Sequence, residues 1–270
     1  MATADVEPAA QMILRGGWGD RAAFLAWAVG HATCHPLVAD DGGAIVGTGI
    51  ATAYGRVGWV GTIFVDPARR RSGLGTALTV AVAEILDGLG CRTQVLIATP
   101  LGRPIYARLG FELLAAQVRY TIAGLPPGPP PAAVRAFAPG DLDAIVALDA
   151  DATGEDRSAV LRTLATPDAA RVLARPAAGI GGFVVRGPWG GAALVAPDPD
   201  DALALLEWRR LRAGPEGRVS VGLMDVNATG RARLEEAGWS AEPGGVRMIR
   251  GEPLGWRPAW LWGQFNGALG

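Results

Sequence analysis

Between residues 74 and 89 the apolar side chains fall at Leu74, Leu78, Val82, Ile85, Leu86 and Leu89. That three-and-four spacing predicts a helix starting near Gly73, and Gly88 and Gly90 predict its end. Ahead of it, VGWVGTIFV (residues 57–65) is a short apolar run closed by Asp66-Pro67, which predicts a buried strand. Residues 35–55, HPLVADDGGAIVGTGIATAYG, predict two strands around the turn Asp40-Asp41-Gly42-Gly43. After the helix, TQVLIA (93–98) predicts a strand, GRPIYARLG (102–110) a short helix closed by Gly110, and FELLAAQVRYTI a final strand pair. Alternating strands and helices imply a mixed α/β sheet.

The second half repeats part of this pattern. When Thr93 onward is set beside Val221 onward at a constant offset, three pairs coincide: Gly102-Arg103 with Gly230-Arg231, Gly110-Phe111 with Gly238-Trp239, and Val118-Arg119 with Val246-Arg247. Val65-Asp66-Pro67 matches Val195-Ala196-Pro197 with a two-residue shift. Between the copies lies GLPPGPPPAA (124–133), whose prolines favour an extended, stiff linker. The expected organisation is a first domain over 1–124, a linker over 125–133 and a second domain over 134–270.

Half of the 270 residues are apolar and the formal net charge is −1, which supports a packed core and argues against a broad nucleic-acid surface. Every basic residue is Arg. The two cysteines, Cys34 and Cys91, make no disulfide framework, the start has no signal-peptide pattern, and no apolar run approaches the roughly 20 residues of a membrane span. A cytoplasmic chain without a membrane partner is expected.

Against this sparing use of charge, RRRSGLGTAL (69–78) places three arginines beside Gly73 and Gly75 at a helix entrance. A helix's first turn offers open amides and partial positive charge, glycines let an anion approach, and guanidinium forks suit phosphate oxygens. A diphosphate matches this combination best. A Rossmann site fits poorly, because Leu78 stands at the third glycine position and Arg92 and Thr93 near the acidic one. A P-loop needs a lysine, which the chain lacks.

VDPARRRSGLGTAL followed by GRPIYARLGF resembles the GNAT superfamily of N-acetyltransferases, over about residues 9–121. The second half makes the whole similar to tandem GNAT proteins with a degenerate C-terminal copy, each copy a mixed, mostly antiparallel sheet flanked by helices. The resemblance implies acetyl transfer from acetyl-CoA to a small-molecule amine by direct attack, with no metal. It implies that the strand backbone at Ile63, Phe64 and Val65 holds the pantetheine arm, and that Arg70, Arg71, Ser72, Gly73, Leu74, Gly75 and Thr76 hold the pyrophosphate. Tyr106 matches the residue that protonates the departing thiolate. Trp18, Asp20 and His31 lie where the acceptor site is expected. Many relatives carry a basic Glu on the strand, but GWVGTIF has no carboxylate; water, Asp20, His31 or His35 stay open as routes for the proton. A non-catalytic acyl-CoA-binding sensor is the alternative.

In the second copy Asp198, Asp200 and Asp201 replace the arginines and glycines, and Leu234 replaces Tyr106, so coenzyme binding is not expected there. Trp256, Trp260, Trp262 and Phe265 are candidates for an acceptor wall, a sheet cover or a homodimer contact. Asp149, Asp151, Glu155 and Asp156 would attract a cationic amine, or else form a solvated loop and helix start. His31, Cys34 and His35 have helical spacing but no fourth ligand for structural zinc, and no Gly-x-Ser-x-Gly hydrolase elbow occurs.

Overall fold

The computed structural model describes residues 1–175 and 179–270. The chain folds as two compact units, and neither is one continuous segment. The first comprises Met1–Leu114, Arg247–Pro253 and Gly267–Gly270; the second comprises Ala115–Val246 and Leu254–Asn266. Among the described residues, no helix is long and apolar enough to cross a membrane.

In the first unit α1 (Val6–Arg15) and α2 (Ala22–Gly30) precede β1 (Cys34–Asp41), β2 (Ala44–Tyr54) and β3 (Val57–Val65), an antiparallel meander. The first turn rests on Gly42 and Gly43, at φ 65° and 90°, the backbone that a two-residue hairpin requires. Then come α3 (Leu74–Gly88), β4 (Thr93–Ala98) parallel to β3, and α4 (Arg103–Arg108). Leu78, Val82 and Leu86 of α3 are buried, whereas Leu89 caps the helix end and is 47% exposed. The sheet lets α3 come close because it lacks side chains beneath it. A Cβ at Gly47, Gly49 or Gly58 would stand 2.8, 2.8 and 2.6 Å from Leu78, Val82 and Leu86.

After α4 the structure has one strand, β5 (Glu112–Ala123), in place of the expected pair. Its sequence holds no Gly, Pro, Asn or Asp to turn the chain. It leaves the first unit at Leu114 and continues in the second.

The second unit contains β6 (Val134–Ala136), α5 (Leu142–Thr153), α6 (Ser158–Leu164), β7 (Ala170–Arg175), β8 (Gly179–Arg186) and β9 (Ala192–Val195). There follow α7 (Pro199–Ala213), β10 (Arg218–Met224), α8 (Ala228–Glu236), β11 (Ser240–Gly251) and β12 (Leu261–Gly263). One sheet runs β12-β9-β8-β7-β6, antiparallel throughout, and β10 pairs antiparallel with β5. Leu173, Val184, Leu205, Leu223, Leu234 and Trp262 belong to its core.

β11 crosses back: its residues from Arg247 belong to the first unit, beside β4. There Glu252 N–H donates to Arg92 O at 3.0 Å, and Thr93 Oγ1 donates to Glu252 O at 2.9 Å.

The duplication is visible in matched turns. α4 and α8 each end before a glycine at positive φ, Gly110 (84°) and Gly238 (80°). The following amide closes the turn in both copies: Phe111 N–H to Tyr106 O and Trp239 N–H to Leu234 O, each at 3.0 Å.

Candidate active site

β3 ends at Val65, where Asp66 Oδ1 accepts the Ala68 amide at 2.8 Å and starts a 3-10 turn over Pro67–Arg69. Arg71 then takes φ 64° and Gly73 φ 86°, and α3 begins. Side chains fasten the outer edge of this loop: Arg69 pairs with Asp41 at 2.6 Å, Arg70 Nε donates to Val65 O at 3.3 Å, and Ser72 Oγ donates to Arg69 O at 2.7 Å. Among the described residues, the amides of Arg71, Ser72 and Gly73 donate to no backbone carbonyl. Those of Leu74, Gly75 and Thr76 belong to the first helical turn, which leaves them open, and Gly73 supplies no side-chain cap. Six consecutive donors therefore gather at one helix entrance. Space above the glycines is free: a Cβ on Gly73 meets nothing within 4 Å, and one on Gly75 meets Ile105 and Val65 only at 3.7 Å.

Next to the loop the sheet opens. β3 and β4 pair only where Val57, Gly58 and Trp59 meet Thr93, Gln94 and Val95. From Val60 and Leu96 onward there is no ladder between them, so one edge of β3 borders a wedge. A bulge lies there. Thr48 pairs with Phe64 and Ile50 with Gly61, so Thr62 and Ile63 stand opposite Gly49 alone. Thr62 adopts φ 50°, and its carbonyl accepts Thr48 Oγ1 at 2.9 Å. The extra residue shifts the facing of later side chains. Ile63 lies under α3 with Val82, whereas Phe64 turns to the other face, against Gly16 and Trp18, with ring centroids 5.2 Å apart from Trp18. Arg70 stands over Phe64 at 5.7 Å.

That other face is lined by a segment from far along the chain. Tyr54 Oη donates to Leu269 O at 3.1 Å, and Ala268 and Leu269 are almost fully buried. A Cβ on Gly61 would stand 2.2 Å from Ala268 Cβ, and one on Gly270 2.8 Å from the Trp59 ring. Arg247, also buried, lies over the same tryptophan at 4.9 Å. No local pattern in the sequence points to these contacts; Gly61 is legible only as a strand glycine awaiting a close neighbour.

Tyr106 sits on α4, whose preceding residue Ile105 faces Gly75 and so ties α4 to the start of α3. The ring packs on Gly102 and edge-on to Phe111, with centroids 6.1 Å apart. Burial pushes its phenol up to about 12. Among the described residues its hydroxyl has no hydrogen-bond partner.

The other expected residues divide. Trp18 adjoins Phe64, and Asp20, exposed near it, accepts the Ala22 amide at 2.8 Å. His31 lies at the opposite end of the sheet: the register links Cys34 to Thr52 and Thr52 to Trp59, six residues or about 20 Å along β3 from Val65. There it stacks on Trp27 and hydrogen-bonds Thr33. Among the described residues no group of three His, Cys, Asp or Glu side chains is placed to hold a metal. Burial pushes the Cys34 thiol up to about 11.

Of the alternatives for the acidic and aromatic residues of the second half, a helix start fits Asp156, which is exposed and accepts the Ser158 amide at 3.2 Å, and burial in the core fits Trp262 and Phe265. Asp149 and Glu155 are buried, and Asp149 is neutralised by Arg157 through bonds of 2.5 and 2.9 Å; Asp151 pairs with Arg257 at 2.8 Å. Trp262 and Phe265 are core residues, not exposed liners. In the second copy Asp198 Oδ1 caps α7 by accepting the Asp200 amide at 2.9 Å, Asp201 is held by Arg175 at 2.6 Å, and Leu234 is fully buried.

Two family descriptions match the chain: "Acetyltransferase (GNAT) family" over residues 7–111 and "Acetyltransferase (GNAT) domain" over residues 145–262. An uncharacterized N-acetyltransferase of Bacillus subtilis (strain 168), YitH, is 27% identical over 194 residues, 69% of this chain and 67% of that one. A glucosamine 6-phosphate N-acetyltransferase of Trypanosoma brucei brucei is 36% identical over 63 residues, 23% of this chain and 43% of its own. A crystal structure from Pyrococcus horikoshii, provisionally assigned as an acetyltransferase, superposes with a TM-score of 0.84 at 22% identity, covering 100% of this chain and 94% of that one. A tandem GNAT protein from the clavulanic acid biosynthesis pathway superposes with a TM-score of 0.59 at 17% identity, covering 94% and 98%. With the two descriptions falling on separate halves, this chain belongs to the GNAT acetyltransferase family and carries the fold twice.

Proposed function

We propose that the first unit transfers an acetyl group from acetyl-CoA to the amine of a small molecule in a reducing compartment such as the cytoplasm. The observation that carries this reading is the run of open amides from Arg71 to Thr76 above two bare glycines, at the mouth of a strand wedge. Bound acetyl-CoA supplies an acyl group activated as a thioester. Loop amides and the Arg70 and Arg71 guanidiniums hold its diphosphate. The unladdered edge of β3 at Ile63, Phe64 and Val65 orients the arm along the wedge. Tyr106 keeps its proton through the physiological range and gives it up at the departing sulfur. Two buried free cysteines suit a reducing setting.

Because α3 covers one face of β3, the acceptor comes from the other, bordered by Trp18, Phe64 and Ala268, with the exposed Asp20 two residues along the chain from Trp18. His31 lies outside this border. The strand segments along the wedge, VGTIFV and LIA, contain no carboxylate or imidazole, so the proton of the amine goes to water, directly or by way of the exposed Asp20 carboxylate, and the amine reacts as the free base. With a lysine-like amine, kcat/KM then rises about tenfold per pH unit between pH 7 and 9. The test is to follow free thiol while acetyl-CoA is mixed with a panel of amines. Thiol release that depends on the amine and follows this pH slope supports the reading; tight acetyl-CoA binding without turnover on any amine replaces it with a sensor.

A further inference from the structure

We propose that the second unit carries an anion site, formed by Arg171, Arg186, Arg209 and Arg212, that takes a phosphate or diphosphate group. Three elements converge on it. Arg171 pairs with Val184 across β7 and β8, so strand alternation places Arg171, Val184 and Arg186 on one face. Val184 packs in the core with Leu205, Leu206 and Trp208, which makes this the face covered by α7. The last turns of α7 supply Arg209 and Arg212, neighbours at i,i+3. Arg171 lies over the Trp208 ring at 4.7 Å, which joins the strand pair of arginines to the helix pair.

Several other guanidiniums of this unit are matched by carboxylates: Arg135 with Asp141, Arg157 with Asp149, Arg175 with Asp201, Arg257 with Asp151. The four clustered arginines break that pattern. Arg209 is 8% exposed, yet its hydrogen bond goes to a neutral acceptor, Ser220 O, at 3.4 Å. Arg171 donates to the carbonyls of Pro167 and Ala170 at 2.6 and 2.8 Å. Among the described residues Arg186 and Arg212 make neither a hydrogen bond nor an ion pair. A carboxylate, Asp168, acts on Arg171. Burial, reinforced by Arg186, pushes Arg209 down to about 10; burial reinforced by Arg212 lowers Arg171 and Arg186. The carbonyl end of α7 offers about half an elementary charge, and Asp168 one more, against four cations. A cluster of like charge that runs from the buried Arg209 to the exposed Arg212 is stabilised by an anion, and several guanidinium forks suit a phosphate's multiple oxygens. The chain's overall charge of −1 means that general basicity does not produce this cluster.

The site is independent of the acetyl-transfer reading, and its test is run where the first unit's loop is disabled. In a Gly75→Val background, inorganic phosphate, inorganic diphosphate and glycerol 3-phosphate are titrated calorimetrically in chloride buffer. We expect saturable binding by at least one, weakened about tenfold or more when Arg186→Gln is added, and weakened likewise by Arg212→Gln. Both added changes fall on accessible side chains, and unchanged melting temperatures without ligand confirm that each variant folds. Preference for diphosphate, for inorganic phosphate or for the ester identifies the source of the group, and each supports the site. Absence of saturable binding below about 10 mM, or binding that both arginine variants leave unchanged, overturns it.

Discussion

A threonine at φ 50° is crowded, because its branched Cβ meets backbone that only glycine avoids, at a cost of about 1–3 kcal/mol. Thr62 bears that cost at the bulge, and the hydrogen bond it accepts from Thr48 uses the carbonyl, which any residue keeps. Thr62→Gly is therefore expected to raise stability by up to about 1 kcal/mol, read from denaturant melts. Tyr106→Phe is expected to lower kcat by about tenfold to a hundredfold while KM for acetyl-CoA holds, since the ring contacts with Gly102 and Phe111 survive. The same substitution has a signature in stability. The folded phenol titrates near 12, above the ordinary value of about 10, so its neutral form supports the fold below pH 10 and that support is lost as pH rises towards 12. Melts across that window should fall less steeply for the variant. The places of Tyr106 on α4 and of Gly73 and Gly75 at the start of α3 are legible because the apolar periods and glycine stops around them mark the two helices. The partnership of Phe64 with Trp18 is not, because it depends on a bulge that reverses which way a side chain faces.

Among the elements, α3 shows how much a period can tell. Leu78, Val82 and Leu86 recur every four residues, and the sheet below answers with Gly47, Gly49 and Gly58. The ends of β3 and β4 are legible for the same reason, being apolar runs with clear stops. β5 is not, because a twelve-residue strand passing from one unit to the next looks like two ordinary ones. The loop between β3 and α3 gives a clean test of its own. A Cβ at Gly75 has ordinary room, so Gly75→Val should fold normally yet raise Kd for acetyl-CoA at least about tenfold by filling the phosphate approach. Equilibrium dialysis together with a melting curve separates the two effects.

For the whole molecule, the repeated motifs disclose two copies of a fold, but the proline stretch over 124–133 lies inside the second unit, and the first long segment of the chain passes from one unit to the other at Leu114. What the motifs do not disclose is that the first unit takes in Arg247–Pro253 and Gly267–Gly270. Such exchange is invisible to local patterns, since each segment looks like part of its own surroundings. A fragment ending at Gly124 thus loses the strand beside β4 and the cover over Tyr54, Trp59 and Gly61. It is expected to show poor amide dispersion by NMR, whereas the full chain is well dispersed.

The return of those late residues also sets an order of assembly. A nascent chain grows at about 5–20 residues per second, so on the order of ten to thirty seconds pass on the ribosome between the emergence of β4 and that of Leu269. The unit made first is the last to be finished, and during that wait its aromatic floor is open to whatever chaperone stands nearby.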